Sequence, residues 1–191
     1  MRKGGQSAEV ALTAENIPMK CAEEVASVVQ KMESTQKVGG GAKAVQEDIA
    51  QKIRNVGDDI LDTMEKAGGH TLERHVAKTS TDLAKRMSKR SLVTSASSFT
   101  NKRTAIKAVK ESLKHNAERI ASWLNDPLID KIIIEFSHTH PIGSVVPKVK
   151  KNPLYNLTNS RMVLKKDLTS GFGFKIVTAF PIIWSDILEK I

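Results

Sequence analysis

At Pro127 the hydrophobic pattern of this chain changes period. Before it, apolar residues recur every three or four positions. After it, they alternate in short runs separated by Pro, Gly and Asn. The first spacing lays side chains along one stripe of a helix, and the second lays them on one face of a strand. Helices first and strands later predict an α+β fold with a mostly antiparallel, twisted sheet.

Four strands are expected after the change: "KIIIEF" (131–136), "SVVPKV" (144–149), "RMVLKK" (161–166) and "GFKIVTAF" (173–180). Pro147 has no N–H to give a ladder, which pushes its strand toward an edge. In the last strand, Phe172, Phe174, Ile176, Thr178 and Phe180 fall on one face by strict alternation.

The helical half begins with residues 18–33. Asn16 can cap that helix, Pro18 suits its first turn, and Cys21, Val25, Val28, Val29 and Met32 form its stripe. "KVGGGA" (37–42) breaks the pattern. A second helix, roughly 43–66, carries Val45, Ile49, Ile53, Val56, Ile60 and Met64, with Gly57 weakening its middle. The two make an N-terminal helical hairpin. "AGGH" (67–70) is the expected boundary, giving residues 1–66 and 67–191 as two domains.

Beyond it, Leu72 and Val76 suggest a short helix. "KTSTD" (78–82) offers Ser80 or Thr81 as the cap of the next, which Leu83 and Met87 continue. "SLVTSASS" (91–98) reads as a polar loop. Thr100 to Asn125 reads as one long amphipathic helix built on Ile106, Val109, Leu113, Ile120 and Leu124.

Charge divides at the same boundary. Residues 1–66 hold 9 Lys and Arg against 11 Asp and Glu, and residues 67–191 hold 21 against 10. A domain of net charge +11 attracts phosphate polymers, acidic proteins or anionic membranes. The chain's one cysteine, Cys21, permits no intrachain disulfide and no thiolate metal cluster. No apolar run reaches the ~20 residues of a membrane span. Stable membrane insertion is not expected, and no secretory leader is visible.

The candidate chemistry lies in "GGHTLERHVAKTSTDLAKR" (68–86). His70 and His75 are five apart, about 140° around one helix, so they do not form a two-histidine metal face. His75 and Arg86 would be ~16 Å apart on a continuous helix. A break at 78–81 lets the second helix turn back toward the first. His75 then suits a general acid or base, and Arg86 suits a phosphate fork. A bland alternative stays open: Arg86 stands four after Asp82 as a surface pair, and His75 caps or packs. Thr178 reads equally as a sheet former or as a hydroxyl aimed at a substrate. "HTH" (138–140) reads as a turn, and His115 as helix surface. No phosphate loop or dinucleotide fingerprint occurs.

Four stretches in order resemble the RNase A-like toxin domain of bacterial contact-dependent growth inhibition effectors: "GGHTLERHVAKT", "LAKR", "SSFTNKRTA" and "IVTAFP", together spanning roughly 67–183. The resemblance implies a metal-independent ribonuclease without cofactors and without the disulfides of vertebrate relatives. It implies His75, Arg86 and Thr178 as catalytic residues, with Lys78, Phe180 and His70 contacting substrate. Phe180 departs from the family's pattern, which has tyrosine there, and phenylalanine donates no proton. The implied chemistry is attack of an RNA 2′-hydroxyl on its own phosphate, leaving a 2′,3′-cyclic phosphate. The implied partners are RNA and a cognate immunity protein, expected to be acidic. Export within a large surface effector and action in the target-cell cytoplasm are also implied, with 1–66 placed where a region for cytoplasmic passage belongs. The alternatives kept beside this reading are a basic nucleic-acid-binding module without catalysis and a protein that only meets an acidic partner.

Overall fold

The computed structural model describes residues 41–89, 94–148 and 152–183. The expected helix 18–33, with Asn16, Pro18 and Cys21, and the "KVGGG" stretch before it reaches residue 41 lie outside these residues. So does residue 149 of the expected second strand.

Six helices and six strands are described. Helices α1 (Gly41–Arg54), α2 (Ile60–Lys66), α3 (Thr71–His75) and α4 (Ser80–Ser88) come first. Strand β1 (Ser95–Phe99), helices α5 (Lys102–His115) and α6 (Ala117–Leu124), and strands β2 (Lys131–Ser137), β3 (Gly143–Pro147), β4 (Leu154–Leu157), β5 (Asn159–Lys166) and β6 (Phe174–Ile182) follow. The strands form two three-stranded antiparallel sheets, ordered β1-β3-β4 and β2-β5-β6, so the strand of Pro147 is central rather than at an edge, with Pro147 at its last position, beyond the pairing with β4. The fold is α+β, as the change of period at Pro127 predicts.

Several local expectations are corrected. The helix expected over 43–66 is two helices. Gly57 and the pair Asp58–Asp59 favour turn geometry over helix interior, and the chain leaves the helix between Arg54 and Ile60. The helix expected over 100–125 breaks at Asn116, whose side-chain amide donates to Ser112 O at 2.9 Å in competition with the backbone ladder. The polar loop expected at 91–98 contains β1. Two of its three serines are buried rather than solvated: Ser97 and Ser98 are nearly inaccessible, and the Ser98 hydroxyl donates to Phe99 O. Strand β4 was not expected, since "LYNL" is too short to show alternation.

The boundary expected at 67–70 falls inside one compact unit that begins at Val45. Ile53, Val56, Ile60, Leu61 and Met64 share a single core with Phe99, Leu113, Ile134, Leu164, Phe174 and Ile176. Burying each such side chain contributes about 2 kcal/mol, so the stripe of α1 and α2 is held here as part of the domain. Charge follows. Lys102 pairs with Asp62 at 2.7 Å and Lys110 with Asp58 at 2.5 Å. Part of the basic face of α5 is thereby neutralised by carboxylates from α2 and from the turn before it.

Candidate functional site

The site is built where α3 meets β6. Gly69 brings the chain against that strand so closely that a Cβ would lie 2.5 Å from Ile176 O and 2.8 Å from Met64 O. The His70 N–H then donates to Val177 O at 3.1 Å, and Ala179 N–H donates to Thr71 Oγ1 at 2.8 Å. Glu65 accepts from Leu72 N–H and Glu73 N–H, satisfying two amides at the start of α3. Four residues after Thr71, α3 ends at His75.

Val177 is a β-bulge, and it corrects the expected strand face. Leu164 pairs with Ile176, but Val163 pairs with Thr178 and Met162 with Ala179. One extra residue inverts the alternation. Phe174 and Ile176 stay on the core face and are succeeded there by Ala179 and Pro181, all buried. Thr178 and Phe180 turn to the opposite face. The Phe180 ring stacks on the His75 imidazole, with centroids 4.9 Å apart and planes 23° apart. The structure thus places Phe180 against His75 through a feature that strict alternation misses.

His75 is 5% exposed. Its Nδ1 lies 3.0 Å from Ser97 O. A carbonyl only accepts, so Nδ1 carries the proton and Nε2 keeps its lone pair in the neutral ring. Arg86 Nη2 approaches that lone pair at 3.4 Å, while Arg86 Nη1 donates to Arg74 O at 3.1 Å. Burial is the largest cause that pushes the His75 imidazole down to about 4, from an ordinary 6.5. The Ser97 bond opposes this, and the charges of Arg86, His70 and Arg74 add to it. His75 is therefore a neutral base at physiological pH. His70 is also lowered, first by burial and then by Arg74, with Arg86 contributing.

Arg86 reaches His75 because the chain turns between α3 and α4, as the sequence predicts. The cap is Thr79 rather than Ser80 or Thr81. Thr79 and Asp82 form a reciprocal capping box, with Asp82 N–H donating to Thr79 Oγ1 and Thr79 N–H to Asp82 Oδ2. Leu83 and Met87 bury against Ala96 and Val146, seating α4 on β1 and β3. Arg86 lies one turn after Leu83 on that helix and points back to α3.

The remaining candidates divide. Thr178 Oγ1 is buried and has no hydrogen-bond partner among the described protein atoms. A hydroxyl left so costs about 1–3 kcal/mol, which a bound ligand's acceptor or donor would offset. Lys78 is half-buried, its N–H fixed by Ser98 Oγ at 2.9 Å. The residues that sequence reasoning missed are supports: Thr71, Ser97, Ser98 and Val177. "HTH" has loop backbone, but His138 is buried, with Glu111 Oε2 2.7 Å from Nδ1 and Ser160 Oγ 2.9 Å from Nε2. This corrects its reading as a plain turn. His115 is exposed, as expected. Among the described residues, no group of three or more His, Cys, Asp or Glu is arranged to hold a metal ion. No described helix is long and apolar enough to cross a membrane.

Residues 69–181 match the family model described as the bacterial CdiA-CT RNAse A domain. Among solved structures, the chain is similar to the crystal structure of a CdiA-CT/CdiI complex from Y. kristensenii 33638. Identity is 33% and the TM-score 0.56, over 60% of this chain and 100% of that one. No curated protein matches.

Proposed function

The chain belongs to the bacterial CdiA-CT RNAse A domain family, and from that premise we propose that it cleaves RNA without a metal ion, with His75 as the base. The observation that carries this reading is the pairing of a neutral, Nδ1-protonated imidazole with a guanidinium at its free nitrogen. A base that is already deprotonated and an anion receptor beside it are what attack on a phosphodiester needs.

In the proposed step, His75 Nε2 takes the proton of an RNA 2′-hydroxyl. The 2′-oxygen bonds to the adjacent phosphorus, the bond from phosphorus to the 5′-oxygen breaks, that oxygen takes a proton from water, and the hydroxide so formed takes back the proton held by His75. A 2′,3′-cyclic phosphate remains. Arg86 stabilises the extra negative charge on the phosphorane, and Thr178 Oγ1 donates to a phosphoryl oxygen. Lys78 and His70 contact the substrate backbone, and Phe180 holds the imidazole plane. Salt-sensitive affinity comes from the basic residues of the domain.

The relative crystallised with CdiI supports a cognate immunity protein for this chain too. An acidic face on that partner would suit the basic charge of this domain. Delivery by a surface effector and action in the target-cell cytoplasm complete the reading. The segment preceding the compact unit serves passage, an assignment that rests on its position.

The direct test is an oligonucleotide with one ribonucleotide in a DNA chain, incubated with the protein in EDTA. Cleavage only at the ribonucleotide, leaving a cyclic phosphate, is expected. Cleavage of an all-DNA strand, or a strict need for added metal, would overturn the mechanism.

A further inference from the structure

We propose that the cavity bordered by Lys78, Thr100, Ser144, Tyr155 and Asn156 is a nucleobase subsite, receiving the base of a nucleotide that flanks the cleaved phosphate. The proposal rests on the cleavage reading for its substrate, and of the residues that border the cavity only Lys78 also belongs to that reading.

The cavity, of about 400 Å³, is tied to His75 by a short parallel frame. His75 Nδ1 donates to Ser97 O, Val76 bridges Phe99 in parallel, and Ala77 N–H donates to Phe99 O at 3.0 Å. Lys78 N–H donates to Ser98 Oγ. Residues 75–78 thus run alongside 97–99, and the cavity opens three residues on from His75. Even fully extended, three residues span only about 10 Å, and the left-handed turn at Ala77 shortens that, so the cavity is within reach of an adjoining nucleotide.

Its chemistry fits a base. Tyr155, the chain's single tyrosine, is 64% exposed and offers a ring for stacking. Asn156, Ser144 and Thr100 supply amide and hydroxyl groups that can meet a base edge, and Lys78 supplies a cation for phosphate. The lining has no carboxylate. The larger cavity of about 470 Å³ sets Glu111 and Glu118 beside Arg54 and Lys114, so its charges balance and it offers a polyanion no net attraction.

Backbone strain converges on the same place. Among the described residues, only two other than glycine adopt left-handed φ: Ala77 at 54° and Asn156 at 58°. Both line this cavity. Asparagine tolerates that conformation, but alanine does so at a cost of about 1 kcal/mol, and such strain clusters at ligand sites. Gly143 lets the cavity wall approach β1, since a Cβ there would lie 2.1 Å from Ser98 O.

The test uses the full chain, a fluorescent 2′-O-methyl RNA oligomer that cannot be cleaved, and the matching ribose oligomer. Tyr155→Ala should weaken binding of the first by roughly tenfold and raise KM on the second by a similar factor, with kcat little changed. Tyr155→Phe should restore both, and Leu168→Ala, an exposed change elsewhere, should alter neither. Unchanged affinity and KM in Tyr155→Ala, with cleavage intact, would overturn the subsite alone. Tyr155-dependent binding without any cleavage by the wild-type chain would support the subsite and overturn the cleavage reading.

Discussion

Arg86 Nη2 sits 3.4 Å from His75 Nε2, directing a fixed positive charge at the one nitrogen of that ring that has no proton. The contact disfavours imidazolium and marks where a negatively charged group would bind. It joins residues eleven apart in sequence, and it exists because the capping box of Thr79 and Asp82 starts a new helix between them.

The first consequence concerns pH. His75 is lowered to about 4. Its basic form therefore persists through the mildly acidic range, and the acid limb of kcat/KM should bend near pH 4 rather than near 6.5. Rate measurements from pH 3.5 to 8 check this. A limb centred near 6.5 would mean that the ring is not desolvated in the working enzyme.

The same shift predicts a stability slope. Between about 4 and 6.5, the unfolded imidazole binds a proton that the folded one refuses. More protons on the unfolded state make stability rise with pH across that window, and it is lost as pH falls through it. The full effect is on the order of 3 kcal/mol. Urea melts of wild type and His75→Ala at pH 4.5 and 7 should show a weaker pH dependence in the variant.

Replacing Arg86 by Gln removes both the charge beside Nε2 and the proposed phosphate fork. The His75 pKa should rise, while staying below 6.5 because burial is the larger cause. Cleavage should fall by about 10²–10³-fold, the loss typical of one transition-state donor. NMR titration of the imidazole and steady-state kinetics measure the two effects separately.

Phe180→Tyr adds a hydroxyl to a ring already stacked on His75. A donor there should raise kcat/KM, by up to about tenfold, without changing the fold. An unchanged rate would mean that the oxygen has no part in this chain's reaction.

Gly69→Ala should damage the site from a distance. The new Cβ meets Ile176 O and Met64 O, two backbone atoms that cannot swing aside. Helix α3 must lift from β6, breaking the His70 bond to Val177 O. A loss of about 1–3 kcal/mol is expected in thermal or urea melts, with reduced cleavage.

Much of this was legible in the sequence. The switch at Pro127 carries the α+β order, and the turn-forming "KTSTD" carries the juxtaposition of His75 and Arg86. The bulge at Val177 was not legible, because the adjacent apolar pairs in "FKIVTAF", Ile176–Val177 and Ala179–Phe180, equally suit an unbulged strand buried on both faces. Only pairing with β5 reveals it, and with it the face of Thr178 and Phe180. Strand β1 was hidden for another reason. "SASSF" is polar, and its burial depends on partners in α3, α4 and β3 that lie far along the chain.

The measurement that tests the central claim most directly is incubation of the wild-type chain and His75→Ala with total RNA in EDTA, followed by analysis of product ends. The account predicts fragments ending in 2′,3′-cyclic phosphate from wild type. It predicts a rate reduced by about 10²–10⁴-fold in a variant that remains folded by circular dichroism. Equal cleavage by both proteins, or intact RNA with a folded wild-type chain, would contradict it.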